Sequence, residues 1–240
     1  EASGYNSAYY AIGGIMVVGC FSALLLKETP ITQENFQTIK VSLSDFKLEF
    51  KKPDTWLITL LNVFAGAGIA IVLVLSTYMN DELGISIEGL GLGVTIFAIG
   101  QFIGALSLGV LGQKMKLRPI FLVNTLFYIL LILSLLVIPL ETGRLNLVYF
   151  VIFLVGAING GYEANQMRIN MEFSVGKISG TLYSWFNSIS NVAQTALGAL
   201  IIAAIAAATG SFIIGIQIAS VFLLLGLIPG FAAIKKINEK

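Results

Sequence analysis

Residues 89–118 read GLGLGVTIFAIGQFIGALSLGVLGQKMKLR, and this stretch decides the fold. Positions 89–111 hold no charged residue, and only Thr95, Gln101 and Ser107 are polar. As a helix rising ~1.5 Å per residue, the run is long enough to cross a hydrocarbon core of ~30 Å. Lys114, Lys116 and Arg118 follow at once. A span that ends in cations carries its own orientation, because Lys and Arg collect in short loops on the cytoplasmic side of a membrane.

Working outward, six more apolar stretches of similar length lie at 5–26, 56–80, 119–140, 147–168, 180–207 and 211–234. The loops between them alternate in charge. Lys27, Lys40, Lys47, Lys51 and Lys52 share one side with Lys114, Lys116 and Arg118, with Arg168 and Lys177, and with Lys235, Lys236 and Lys240. The opposite loops hold only Arg144, out of 14 Lys and Arg in all. The expected fold is therefore all-α: a polytopic transmembrane helix bundle of seven spans, without β-sheet. It should sit in the cell membrane as a multi-pass protein with its C-terminus cytoplasmic and its N-terminus outside.

Composition agrees. A chain that is 57% hydrophobic and 11% charged, with mean hydropathy +0.90, would expose too much apolar surface as a soluble domain. A net charge of +1 gives no sign of a nucleic-acid partner, since orientation already explains the basic residues. Cys20 is the only cysteine, which excludes a disulfide framework or a zinc cluster and suits a small apolar filler. No cofactor or metal is expected.

The chain starts at Glu1 with no basic segment or small-residue cleavage site before its first span. An odd number of spans with an external, signal-less N-terminus is read as the C-terminal portion of a longer protein. Between the first two spans, Phe36, Ile39, Leu43, Phe46 and Phe50 recur every three or four residues, the stripe of an amphipathic helix. That helix either lies on the cytoplasmic membrane face, held by Phe residues and anionic lipid, or packs on the ends of the bundle. Pro53 ends it. The other loops are short, so consecutive helices are expected to be antiparallel neighbours, with no room for a soluble catalytic domain. Gly100 and Gly104, Gly156 and Gly160, and Gly226 and Gly230 have the spacing that lets helices approach closely.

Polar residues inside the spans are unevenly spread, and each needs a partner or a wet cavity. The first, fourth and seventh spans are nearly apolar in their middles, apart from Asn124 and Gln217. The second carries Thr59 and Asn62 with Gly66 and Gly68, and the third Gln101. Asn159, Glu163 and Gln166 share one face of the fifth span, and Asn187, Asn191 and Gln194 one face of the sixth. Such faces either hydrogen-bond to each other or line an aqueous cavity that binds a polar solute. Glu163 is the only acid well inside any span. It either serves as the carboxyl of a proton-coupling site or snorkels to the cytoplasmic edge.

This arrangement resembles the major facilitator superfamily, whose members have twelve helices in two six-helix halves, cytoplasmic termini and a long cytoplasmic linker between the halves. The chain is similar to the sixth helix (1–26), the linker (27–54) and the second, C-terminal six-helix half (55–240) of such a protein. One loop carries a motif: Gly109-Val-Leu-Gly-Gln-Lys-Met-Lys-Leu-Arg-Pro119 resembles the family's G-x-L-a-D-R-x-G-R-R. Gly109 and Leu111 match, and Lys114 and Arg118 keep the basic character. Gln113 stands for the acid and Lys116 for the second glycine, which leaves a neutral hydrogen-bonding group where the family has a charged gating latch. The resemblance implies that the second and fifth spans, flanked by the third and sixth, line the central cavity, with the others peripheral. Cavity-lining positions are then Asn62, Gln101, Asn159, Asn187, Asn191 and Gln194, with Glu163 the proton-coupling candidate and Gly109, Gln113, Lys114 and Arg118 the gating loop.

The resulting expectation is a secondary transporter of a small solute, working with H+ or without it, in a lipid bilayer. The missing N-terminal half would complete it, as a monomer when intact. A passive channel or a transport-inactive receptor could use the same scaffold. A membrane-embedded enzyme fits poorly: there is no His, Asp45, Asp54 and Asp81 lie in loops or at borders, and Glu163 has no acidic companion.

Overall fold

A computed structural model describes residues 43–112, 114–137, 145–176 and 178–238. The expected span at 5–26, the Phe36 and Ile39 end of the linker stripe, Gln113, Arg144 and Lys177 lie outside the described residues. Among those described, every regular element is helical. In order they are α1 (Leu43–Phe50), α2 (Pro53–Ile69), α3 (Ile71–Asp81), α4 (Ile87–Gly112), α5 (Leu117–Leu135), α6 (Leu145–Phe173), α7 (Ser179–Val192), a π-helical segment (Ala193–Ala199), α8 (Leu200–Thr209) and α9 (Ile213–Asn238). They make six helical stretches long and apolar enough to span a bilayer, with α2 continuing into α3 and α7 through the π segment into α8. Boundaries follow local chemistry. Pro53 starts α2, where a missing N–H costs nothing, and Gly210, with φ 74°, closes α8 in the left-handed conformation that favours glycine.

Packing follows chain order only in part. Short loops predict sequential neighbours, and α5 does pack on α6, yet α4 lies mainly against α6 and α9 against α2. Glycine explains the tightest pair. A Cβ on Gly100 or Gly104 would strike the Phe153 or Ala157 carbonyl, and one on Gly156 or Gly160 the Phe97 or Gln101 carbonyl. The two glycine pairs thus form a mutual backbone contact between α4 and α6. Gly226 and Gly230 do not: the first meets only Phe64 and Ala65, at ordinary contact distance, and the second makes room for the Phe121 ring.

The core centres on α6. Tyr162, Phe121 and Tyr128 are buried and in ring contact, with centroids 6.1 Å and 5.8 Å from Tyr162, and Ile152, Val155 and Ile169 extend the same buried face. Large apolar residues point outward from α4 and α5, among them Phe102, Leu106, Phe127 and Leu130, as lipid-facing positions require. Of the described part of the linker stripe, Phe46 and Phe50 pack against the bundle and Leu43 is exposed. Phe50 stands edge-on to Trp56 and Trp185, Trp56 Nε1 donates to the Phe50 carbonyl at 2.8 Å, and Thr55 Oγ1 donates to the Glu49 carbonyl at 2.9 Å. An Asp54–Lys236 ion pair joins the start of α2 to the end of α9.

Candidate functional site

The polar residues of α6 divide into two hydrogen-bonded groups. The first surrounds Glu163, four residues past residue 159, the midpoint of α6. Gln101 Nε2, from α4, donates to Glu163 Oε2 at 3.0 Å, and Asn159 Nδ2, one turn back on α6, donates to Oε1 at 3.1 Å. Asn159 is fully buried and its Oδ1 accepts from Tyr128 Oη of α5 at 2.7 Å. Three helices therefore contribute to one chain, Tyr128–Asn159–Glu163–Gln101. The close approach at Gly104 and Gly160 is what brings Gln101 within reach. Glu163 and Gln101 remain partly exposed, so the chain runs from the core to an accessible edge.

Both Glu163 oxygens act as acceptors, which suits a carboxylate. A protonated Glu163 needs an acceptor instead, and a half-turn of the Gln101 amide presents its oxygen. The site can thus hold either charge state through one side-chain rotation, without moving backbone. Arg168 does not intervene. Its Nε donates to Glu172 Oε1 at 2.9 Å, and its Nη1 donates to the Gly112 carbonyl, closing the C-terminal end of α4.

The second group lies nearer the basic end. Asn62 of α2 and Asn170 of α6 exchange reciprocal amide bonds at 2.9 and 3.0 Å, and Gln166 Nε2 donates to Asn62 Oδ1 at 2.7 Å and to Ser190 Oγ of α7 at 3.1 Å. Asn62, Gln166, Asn170 and Ser190 are all buried. Asn62, expected on the cavity wall, thus stands inside a three-helix polar clasp. Beside it, Trp185 Nε1 donates to Thr59 Oγ1 at 3.1 Å.

The α7 face is different. Asn191 is exposed, Asn187 and Gln194 are half-buried, and none of their side chains hydrogen-bonds to a described residue. Only Gln166–Ser190 joins the amide faces of α6 and α7, so they are not a closed two-helix zipper. In the loop expected to gate, Gly109 has open space where a Cβ would stand, Lys114 is exposed, and Arg118 lies 5.2 Å from the Phe231 ring centroid. Gln217 is exposed, whereas Asn124 is buried and donates to the Ile158 carbonyl at 3.3 Å.

Sequence reasoning missed three members of these groups. Tyr128 sits in a helix read as apolar, and only the polar handle of a buried Tyr could have suggested a partner there. Asn170 lies seven residues after Glu163, on the same face, but beyond the expected end of the span at 168. Ser190 is one of several small polar residues of its span, and their spacing does not single it out.

These features define a polytopic helical membrane protein with a polar seam across its spans. The comparison with known families agrees: the model described as Major Facilitator Superfamily matches residues 56–238, and the chain belongs to that family of membrane transporters. Its members carry small molecules across the bilayer. No curated protein matches the chain.

Proposed function

We propose that the protein is a secondary transporter that moves a small hydrogen-bonding solute by alternating access, with Glu163 as the proton-binding group. One observation carries the reading. Asn187, Asn191 and Gln194 form an unpartnered amide row on a spanning helix, where hydrocarbon would be a costly neighbour. Such a row belongs against water, solute or a second helical domain. The α6 seam ending at Glu163 supplies the acid.

In this reading the row and the exposed edge of Glu163 border one central cleft, completed by a second helical domain. The basic side is cytoplasmic, with Gly109, Gln113, Lys114 and Arg118 at the gate. Asn62 and Asn159 hold the wall from behind and do not touch solute. Neutral or zwitterionic solutes fit amide donors and acceptors better than a bulky apolar compound would.

The test is counterflow in proteoliposomes against a panel of radiolabelled sugars and amino acids. Saturable exchange that falls at least ten-fold in Asn191→Leu, with the protein still folded, supports the reading. Non-saturating flux would indicate a channel, and full exchange in Asn191→Leu would remove the row from the binding site.

A further inference from the structure

Outside the polar seam, a groove of about 480 Å³ runs along the bundle between α4 and α5. It exists because both helices pack on α6 and leave Ala157 and Ile158 as its floor. Ile103, Val123 and Phe127 border it and are well exposed. Its only polar side chains are Ser107 and Asn124, and the Asn124 amide already donates to the Ile158 carbonyl. The wall offers a polar solute almost nothing. A flexible hydrocarbon chain suits it.

The basic end supplies charge. The groove reaches Met115 and Pro119, and Pro119 also borders a hollow of about 400 Å³ that Lys116, Arg118, Arg168 and Glu172 line. Glu172 is paired with Arg168 at 2.9 Å, which leaves the two loop cations without a carboxylate in that hollow. Lys116 makes no ion pair with a described residue, and Arg118 has only the Phe231 ring beneath it. From Pro119 to Phe127, α5 rises ~12 Å, most of the ~15 Å depth of one leaflet.

We infer that this face binds one anionic phospholipid of the leaflet on the basic side, with an acyl chain in the α4–α5 groove and the phosphate between Lys116 and Arg118. The charge at the mouth selects an acidic head group over a zwitterionic one. A second copy of the chain would bring like charges together there. The assignment is independent of what the central cleft carries.

The test uses the full chain, delipidated in mild detergent and titrated with dioleoyl phosphatidylglycerol or dioleoyl phosphatidylcholine, with intact complexes weighed by native mass spectrometry. One phosphatidylglycerol should be retained about ten-fold more tightly than phosphatidylcholine. Lys116→Gln alone should weaken it about five-fold, the equivalent of ~1 kcal/mol per basic residue at an anionic surface. Lys116→Gln with Arg118→Gln should abolish the preference, whereas Lys47→Gln, on the same side but away from the groove, should leave it intact. Val123→Trp, which fills the groove, should weaken both lipids alike. Circular dichroism and thermal unfolding identify folded variants, and Lys116→Gln with Val123→Ala are milder substitutes if the others unfold. Equal retention of both lipids, an equal effect of Lys47→Gln, displacement by free glycerol phosphate, or a protein dimer in place of lipid would each overturn the assignment.

Discussion

At the scale of single residues, the two sets of amides predict opposite phenotypes. Asn62 makes three interhelical hydrogen bonds to Gln166 and Asn170, all inside the bundle. Interhelical bonds in membranes are worth ~0.6 kcal/mol on average and up to ~1.7. Asn62→Leu should therefore lower stability by about 1–3 kcal/mol, read as unfolding in detergent against a denaturant. Asn191→Leu should change stability by less than ~0.5 kcal/mol, since no bond is lost, and act on transport alone. Tyr128→Phe acts on both stability and transport. It leaves Asn159 Oδ1 buried and unpaired, at a cost of about 1–3 kcal/mol, and loosens the amide that holds Glu163. Equal destabilisation by Asn62→Leu and Asn191→Leu would mean that the α7 row is packed like the α6 clasp.

At the scale of elements, the α4–α6 contact is the one that positions the site. Gly160→Ala places a methyl on the Gln101 carbonyl and must push the helices apart. Overpacking of this kind costs about 1–3 kcal/mol and would lengthen the Gln101–Glu163 bond. Gly226→Ala meets only ordinary contacts and should be tolerated. Thermal unfolding of the two variants side by side checks the difference. The sequence pattern made the glycine pairs of α4 and α6 visible, because small residues four apart are a local signal. The partner of each pair was not visible, since loop length does not say which helix an apolar surface will choose. The break at Ala70 and the π segment at Ala193–Ala199 were equally hidden: neither has a proline, and they lie against each other, so that a Cβ on Gly198 would strike Ala70. Asn62 was misjudged for a related reason. Polarity marks a residue as needing a partner and does not say whether that partner is water or Asn170.

At the scale of the whole molecule, hydropathy placed the six described spans, with ends within five residues, because bilayer thickness constrains helix length. Charge asymmetry adds the expected orientation. That charge asymmetry predicts that Lys47 and Lys116 lie on one side of the membrane. Cysteines at both positions should react together with an impermeant thiol reagent, and labelling from opposite sides would contradict the topology. Coupling is the central claim, and it rests on Glu163, the carboxyl deepest within the described spans, held by Gln101 and Asn159. Glu163→Gln keeps the size and one accepting oxygen but cannot gain or lose a proton near neutral pH. The direct measurement is accumulation of a transported solute in vesicles of intact protein with an imposed pH gradient, beside counterflow without one. The account predicts that Glu163→Gln abolishes gradient-driven accumulation and keeps counterflow within about three-fold of the parent. Undiminished accumulation in Glu163→Gln would contradict it.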